Sequence, residues 1–70
     1  MTPATLRAWQ RHMNFTQAKA ARALGMSRSG YCDLLSGVHR GSGRPIEISR
    51  RTALACAAIA AGLGEWVNPG

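Results

Sequence analysis

The sequence predicts an all-α protein, a compact four-helix domain spanning residues 1–70. Apolar residues recur at helical spacing in four separate stretches, hydroxyl side chains stand where helices would begin, and glycines stand where they would end. Seventy residues make one domain at most, with a small core.

Pro3 suits the first turn of the first helix, with Thr2 as its cap. Leu6, Trp9 and Met13 then recur at helical spacing and face the core, with Trp9 as an anchor, while Arg7 and Arg11 share another face. Asn14 and Phe15 end this helix, and Phe15 packs beneath the next. Thr16 caps the second helix, whose buried stripe is Ala20, Ala21 and Leu24, and Gly25 stops it. Two residues on, Ser27 caps a third helix with Tyr31, Leu34 and Leu35 on its inner side. Two short helices joined this tightly are expected to cross steeply, as in a helix-turn-helix. Gly37 to Arg44 contains three glycines with His39, Arg40 and Arg44, and reads as a loop inside the domain. Pro45 and Ile46-Glu47-Ile48 lead into the last helix, which begins near Ser49. Residues Ala53 to Ala61 leave that helix almost no polar face. One side can cover the earlier helices, and the other needs a second partner. Gly62 and Gly64 stop it, and Trp66 follows.

Gln17, Ala21, Gly25, Met26, Ser27, Leu34 and Gly37 together resemble the signature of the Cro/CI-type (XRE-like) helix-turn-helix DNA-binding regulators. The resemblance is strong over about half the chain and implies a lambda-repressor-like fold. It implies that Ala21 is small so that two helices approach closely, that Gly25 makes the turn, and that Leu34 packs the recognition helix on the core. Tyr31 departs from the pattern, where a smaller aliphatic residue is usual. Short members of the family are repressors in phages and mobile elements. The stretch from Gly43 through Pro45 to Ala53-Leu54-Ala55-Cys56 is also similar to the small anti-CRISPR-associated repressors. That similarity implies a homodimer that binds an inverted repeat in its own promoter and represses the operon. An alternative within the same motif is an antitoxin whose last helix binds a toxin, with DNA binding as autoregulation.

Charge points the same way. Nine Lys and Arg stand against three Asp and Glu, a formal net charge of +6, and the isoelectric point is about 11.2. On so small a domain this is the electrostatic footprint of a nucleic-acid binder. Catalysis is not expected, because three acids and two scattered histidines offer no nucleophile–base arrangement. No cofactor motif appears, and His12, Cys32, His39 and Cys56 lack zinc-like spacing. Cys32 and Cys56 lie in separate expected helices and form no disulfide framework. The longest apolar stretch, Ala53 to Leu63, is too short to span a bilayer, and no signal peptide precedes it. A cytoplasmic protein with reduced thiols is expected.

The outer stripe of the third helix (about 28–36) carries Arg28, Ser29, Cys32, Asp33 and Ser36. Its N-terminal end would enter the major groove first. Arg28 is the best base reader, since its planar fork can bond both acceptors of a guanine edge. Ser29 can reach a base or a phosphate. Cys32 is small enough to lie against a thymine methyl, or is inert. Asp33 can accept from a cytosine amine or hold Arg28 in place. Gly30 lowers helix propensity, which points to backbone or DNA coming close there. The resemblance makes Gln17 a phosphate contact, aided by the N-terminus of its helix. Lys19, Arg22, Arg40, Arg44, Arg50 and Arg51 complete the expected phosphate contacts, and the last two stand at the wrong end of a helix for dipole stability. Leu54, Ile59, Leu63 and Trp66 supply bulk for a dimer seam among the alanines of the last helix.

Overall fold

Each helix of the protein begins on a side-chain hydroxyl. The computed structural model describes residues 1–66; residues 67–70, the end of the expected domain, lie outside them. Helix α1 (Pro3–His12) starts on Thr2, whose Oγ1 accepts the N–H of Thr5 at 3.1 Å. Thr16 does the same for α2 (Gln17–Ala23) through the N–H of Lys19 at 3.1 Å. Ser27 caps α3 (Arg28–Ser36) through Gly30 at 3.1 Å, and Ser49 caps α4 (Arg50–Ala60) through Thr52 at 3.3 Å. A cap of this kind contributes about 1 kcal/mol by satisfying a backbone donor that the helix leaves open.

Three helices end in one hydrogen-bonding pattern. At α1 the N–H of Asn14 donates to Arg11 and that of Phe15 to Gln10. The same pair of bonds runs from Gly25 to Arg22 and Met26 to Ala21 in α2, and from Gly62 to Ile59 and Leu63 to Ala58 in α4. The pattern requires a left-handed residue at its centre, supplied by Asn14 at φ 58°, Gly25 at 72° and Gly62 at 77°. It turns the chain back over the helix end, and the next residue packs half-buried against the core in two of the three cases, Phe15 and Met26. Helix α3 ends differently, on Gly37 at φ 79°. A Cβ there would lie 3.3 Å from Cγ of Pro3, so a side chain at 37 would press on the start of α1.

The core comprises Leu6, Trp9, Ala20, Ala21, Tyr31, Leu35, Ile48 and Cys56. Helix α3 packs against both α1 and α2, and the fully covered Ala20 and Ala21 let α2 come close because they carry nothing beyond Cβ. Met13, Phe15, Leu24, Met26, Leu34 and Ile59 pack half-buried around this centre. Tyr31 is wholly buried. Its hydroxyl donates to Oε1 of Gln10 at 2.8 Å, and Nε2 of Gln10 donates to the carbonyl of Phe15 at 3.2 Å. Thus the ring reaches the centre with its polar end satisfied. Ile48 joins the core from the segment before α4, with Ile46 half-buried and Glu47 exposed beside it.

Helix α4 contributes only Cys56 to the fully buried set. It is tied to α1 by Trp9, whose Nε1–H donates to the carbonyl of Cys56 at 3.1 Å. The ring of Trp9 meets Phe15 edge-on, with centroids 5.7 Å apart. The outer side of α4 is open, with Leu54, Ala57 and Ala60 exposed.

The segment expected as a loop is folded on itself. Val38 and Pro45 form an antiparallel bridge, the N–H of His39 donates to Arg44 at 2.7 Å, and that of Gly43 to His39 at 2.8 Å. No strand forms among the described residues. None of the described helices is long and apolar enough to cross a membrane.

Two expectations follow for stability. Trp9→Phe keeps an aromatic ring but removes the bond to Cys56 and part of the indole volume, and should cost about 1–3 kcal/mol. Trp9→Ala should cost about 3–5 kcal/mol by emptying the core. Urea unfolding followed by circular dichroism measures both, and a Trp9→Phe variant as stable as the wild type would mean that the indole N–H contributes nothing. The second expectation concerns alkaline pH. Burial pushes the Tyr31 hydroxyl above its ordinary pKa of 10.0, with nearby Cys56 and Cys32 adding to the rise and Arg7 opposing it. Burial likewise pushes the Cys56 thiol above 9.0. Both groups are neutral in both states at neutral pH, and on raising the pH the unfolded chain loses these protons first. Stability therefore holds through pH 8 and falls above about pH 9, by at most about 1.4 kcal/mol per group per pH unit. Tyr31→Phe should flatten the part of the fall above pH 10 in a pH series of unfolding curves.

Candidate nucleic-acid interface

Helix α3 has two unlike sides. Tyr31 and Leu35 are buried and Leu34 is half-buried, whereas Arg28, Ser29 and Ser36 are exposed. Cys32 and Asp33 lie between, each half-buried. The expected stripe is therefore present, but its members differ in how free they are. Arg28 and Ser29 stand in the first turn, beside the hydroxyl cap of Ser27. Ser36 is engaged at the helix end, its hydroxyl 2.9 Å from the carbonyl of Asp33 and 3.2 Å from that of Val38.

Cys32 reaches back to α2, where its Sγ–H donates to Oε1 of Gln17 at 3.2 Å. Gln17 is exposed at the first position of α2, so this contact joins the start of one helix to the middle of the next.

Asp33 pairs with Arg40, not with Arg28: Nε of Arg40 lies 3.4 Å from Oδ1. Asp33 lies five positions after Arg28, which rotates their side chains apart around the helix. The folded-back segment after α3 brings Arg40 to the carboxylate instead. Arg40 is 66% exposed and Asp33 27%, and this is the one ion pair among the described residues. Of the two approaches expected at Gly30, backbone or DNA, that of the protein's own backbone is not found. A Cβ there would meet only Oγ of Ser27, at 3.2 Å, so its own cap sets the space and no other backbone comes near.

The remaining cations are spread over the surface. Lys19 is exposed, with Nζ 5.3 Å above the centre of the Phe15 ring, a cation–π distance. Arg22 and Arg44 are exposed, and Arg50 and Arg51 are exposed in the first turn of α4. None of the described helices carries an acidic residue in its first turn. The partial positive charge of all four N-termini is thus uncompensated by the chain's own carboxylates.

Of the residues expected at a dimer seam, Leu54, Leu63 and Trp66 are 57%, 64% and 83% exposed. Ile59 instead packs half-buried against the core. Ile59 and Leu63, but not Leu54 or Trp66, line an open groove of about 450 Å³ together with Ala23, Ala55, Ala58, Gly64 and Glu65. No group of three or more potential metal-ligating side chains occurs among the described residues.

Two contacts of this surface were absent from the sequence reading, Gln17 with Cys32 and Asp33 with Arg40. Neither has a local signal, because each depends on how one segment returns to another. Compared with known proteins, the chain matches no family model, no curated protein and no solved structure.

Proposed function

We propose that the chain is a sequence-specific transcriptional repressor of the Cro/CI type, with α2, the turn at Gly25 and α3 as its helix-turn-helix. The observation that carries this reading is the two-sided α3. Its inner residues are consumed by the core, while Arg28 and Ser29 stand free at its N-terminal end on a chain of net charge +6. In this reading α3 lies in the major groove of double-stranded DNA with Arg28 and Ser29 on base edges. Gln17, Lys19, Arg22, Arg44, Arg50 and Arg51 face phosphates. Such contacts orient the protein without reading sequence. In this reading the protein belongs to a phage or mobile element and binds its own promoter.

Repression from a palindromic operator calls for two copies, since one small module discriminates poorly among genomic sites. Two-fold symmetry would set half-sites about one helical turn (roughly 34–36 Å) apart. The exposed Leu54, Leu63 and Trp66 support a homodimer built on the open side of α4.

Arg28 and Lys19 test the DNA contacts. Arg28→Ala is expected to cost about 1–3 kcal/mol and relax preference at one base pair. Lys19→Ala should weaken all sequences alike and lower the salt dependence by about one unit. Titration of matched and mismatched duplexes at several salt concentrations separates the two, and a uniform loss for Arg28→Ala would move that residue to the phosphates. Sedimentation at micromolar concentration tests the dimer. The wild type should sediment as a dimer and Leu63→Asp as a folded monomer, because Leu63 is exposed and its replacement spares the core. A monomeric wild type that forms a heteromer with the product of the adjacent gene would favour the antitoxin reading.

A further inference from the structure

Asp33 is the only acid in the first 46 residues of the chain. It stands on α3 between the buried side and the side that carries Arg28 and Ser29. On a surface that faces phosphates a carboxylate is repelled, and an exposed ion pair adds little to folding stability. Its presence therefore calls for another account.

The pair itself supplies one. Arg40 approaches through Nε alone, at 3.4 Å from Oδ1. A carboxylate has about four acceptor sites, so this single contact offsets its charge and leaves acceptor capacity unused. Arg40 is held where it can do this by the folded-back segment. There the neighbouring His39 both donates to Arg44 and accepts from Gly43, and the N–H of Ile46 closes on Gly37 at 2.9 Å.

Resting on the DNA-binding reading above, we infer that Asp33 is a specificity-determining residue that accepts a hydrogen bond from the exocyclic amine of a cytosine in the major groove. Arg40 is its positioning residue and does not bind phosphate. Cytosine presents N4–H2 as its only polar group on that edge. Adenine sets the N7 acceptor beside its amine, and that lone pair repels a carboxylate. Guanine and thymine present acceptors. Arg40 offsets the charge that would otherwise hold Asp33 away from the DNA backbone.

The experiment is selection of duplexes from a random-sequence library by the full chain, followed by titration of the enriched duplex and its single-base variants at several salt concentrations. Wild type should enrich cytosine at one fixed position, and Asp33→Ala should lower discrimination there by roughly tenfold or more. Asp33→Asn should turn the preference to adenine, whose N6 and N7 match a carboxamide. Arg40→Ala should weaken the same cytosine preference without lowering the salt dependence, and Arg40→Lys should restore it in part. Arg44→Ala, as a phosphate contact, should lower the salt dependence by about one unit and leave the preference intact. A preference left unchanged by Asp33→Ala, or left unchanged by Arg40→Ala, overturns the inference while the DNA-binding reading stands. A wild type that enriches no sequence overturns both. Circular dichroism of each variant shows that the fold is retained.

Discussion

The hydrogen bond from the indole of Trp9 to the carbonyl of Cys56 closes this fold. It joins positions 47 residues apart, and α4 has little else to hold it, since Cys56 is its one fully buried residue. A domain of this size buries a modest fraction of its surface, so each central contact carries a large share of the stability. Trp9 serves by three means at once. It fills volume beside Leu6, meets Phe15 edge-on, and satisfies its own N–H on the helix that it retains. The Tyr31–Gln10–Phe15 chain follows the same rule. Among the described residues no buried side-chain nitrogen or oxygen lacks a partner, which is how a small core tolerates two amphipathic rings.

Charge is distributed by a second constraint. With only three acids in the chain, the helix N-termini are capped by neutral hydroxyls and left electropositive. The arginines at 50 and 51 add to that end of α4 instead of opposing it. Within a free protein this arrangement costs helix stability, by about 0.3–1 kcal/mol per unfavourable charge. A polyanion laid against these ends would reverse the sign of that term. Asp33 stands out against such a background, and its pairing with Arg40 makes α3 locally neutral just beyond its most cationic turn.

The α4 side shows what an unfinished surface looks like. The residue after each left-handed helix stop normally packs back on its helix. Phe15 and Met26 do so against the core, but Leu63 is left 64% exposed, and Leu54 and Trp66 are exposed as well. The two tryptophans of the chain thus have opposite fates, Trp9 closing the core and Trp66 lying outside it.

By itself the sequence determined the helices and where they begin, because caps, stops and apolar spacing act within four or five residues. Thr2, Thr16 and Ser27 each cap the helix assigned to them, and Leu6, Trp9, Ala20, Ala21, Tyr31 and Leu35 are buried as their periodicity required. The candidate site was legible to the same extent, as a stripe on α3 with Arg28 and Ser29 in its exposed first turn. Which partner each side chain takes was not legible there. Ile48 reached the core from a short connecting segment, Cys32 turned to Gln17, and Asp33 found Arg40 in place of Arg28. Those pairings belong to the tertiary structure alone, because a contact between segments is set by how the chain returns through space, and spacing along one helix carries no record of that path.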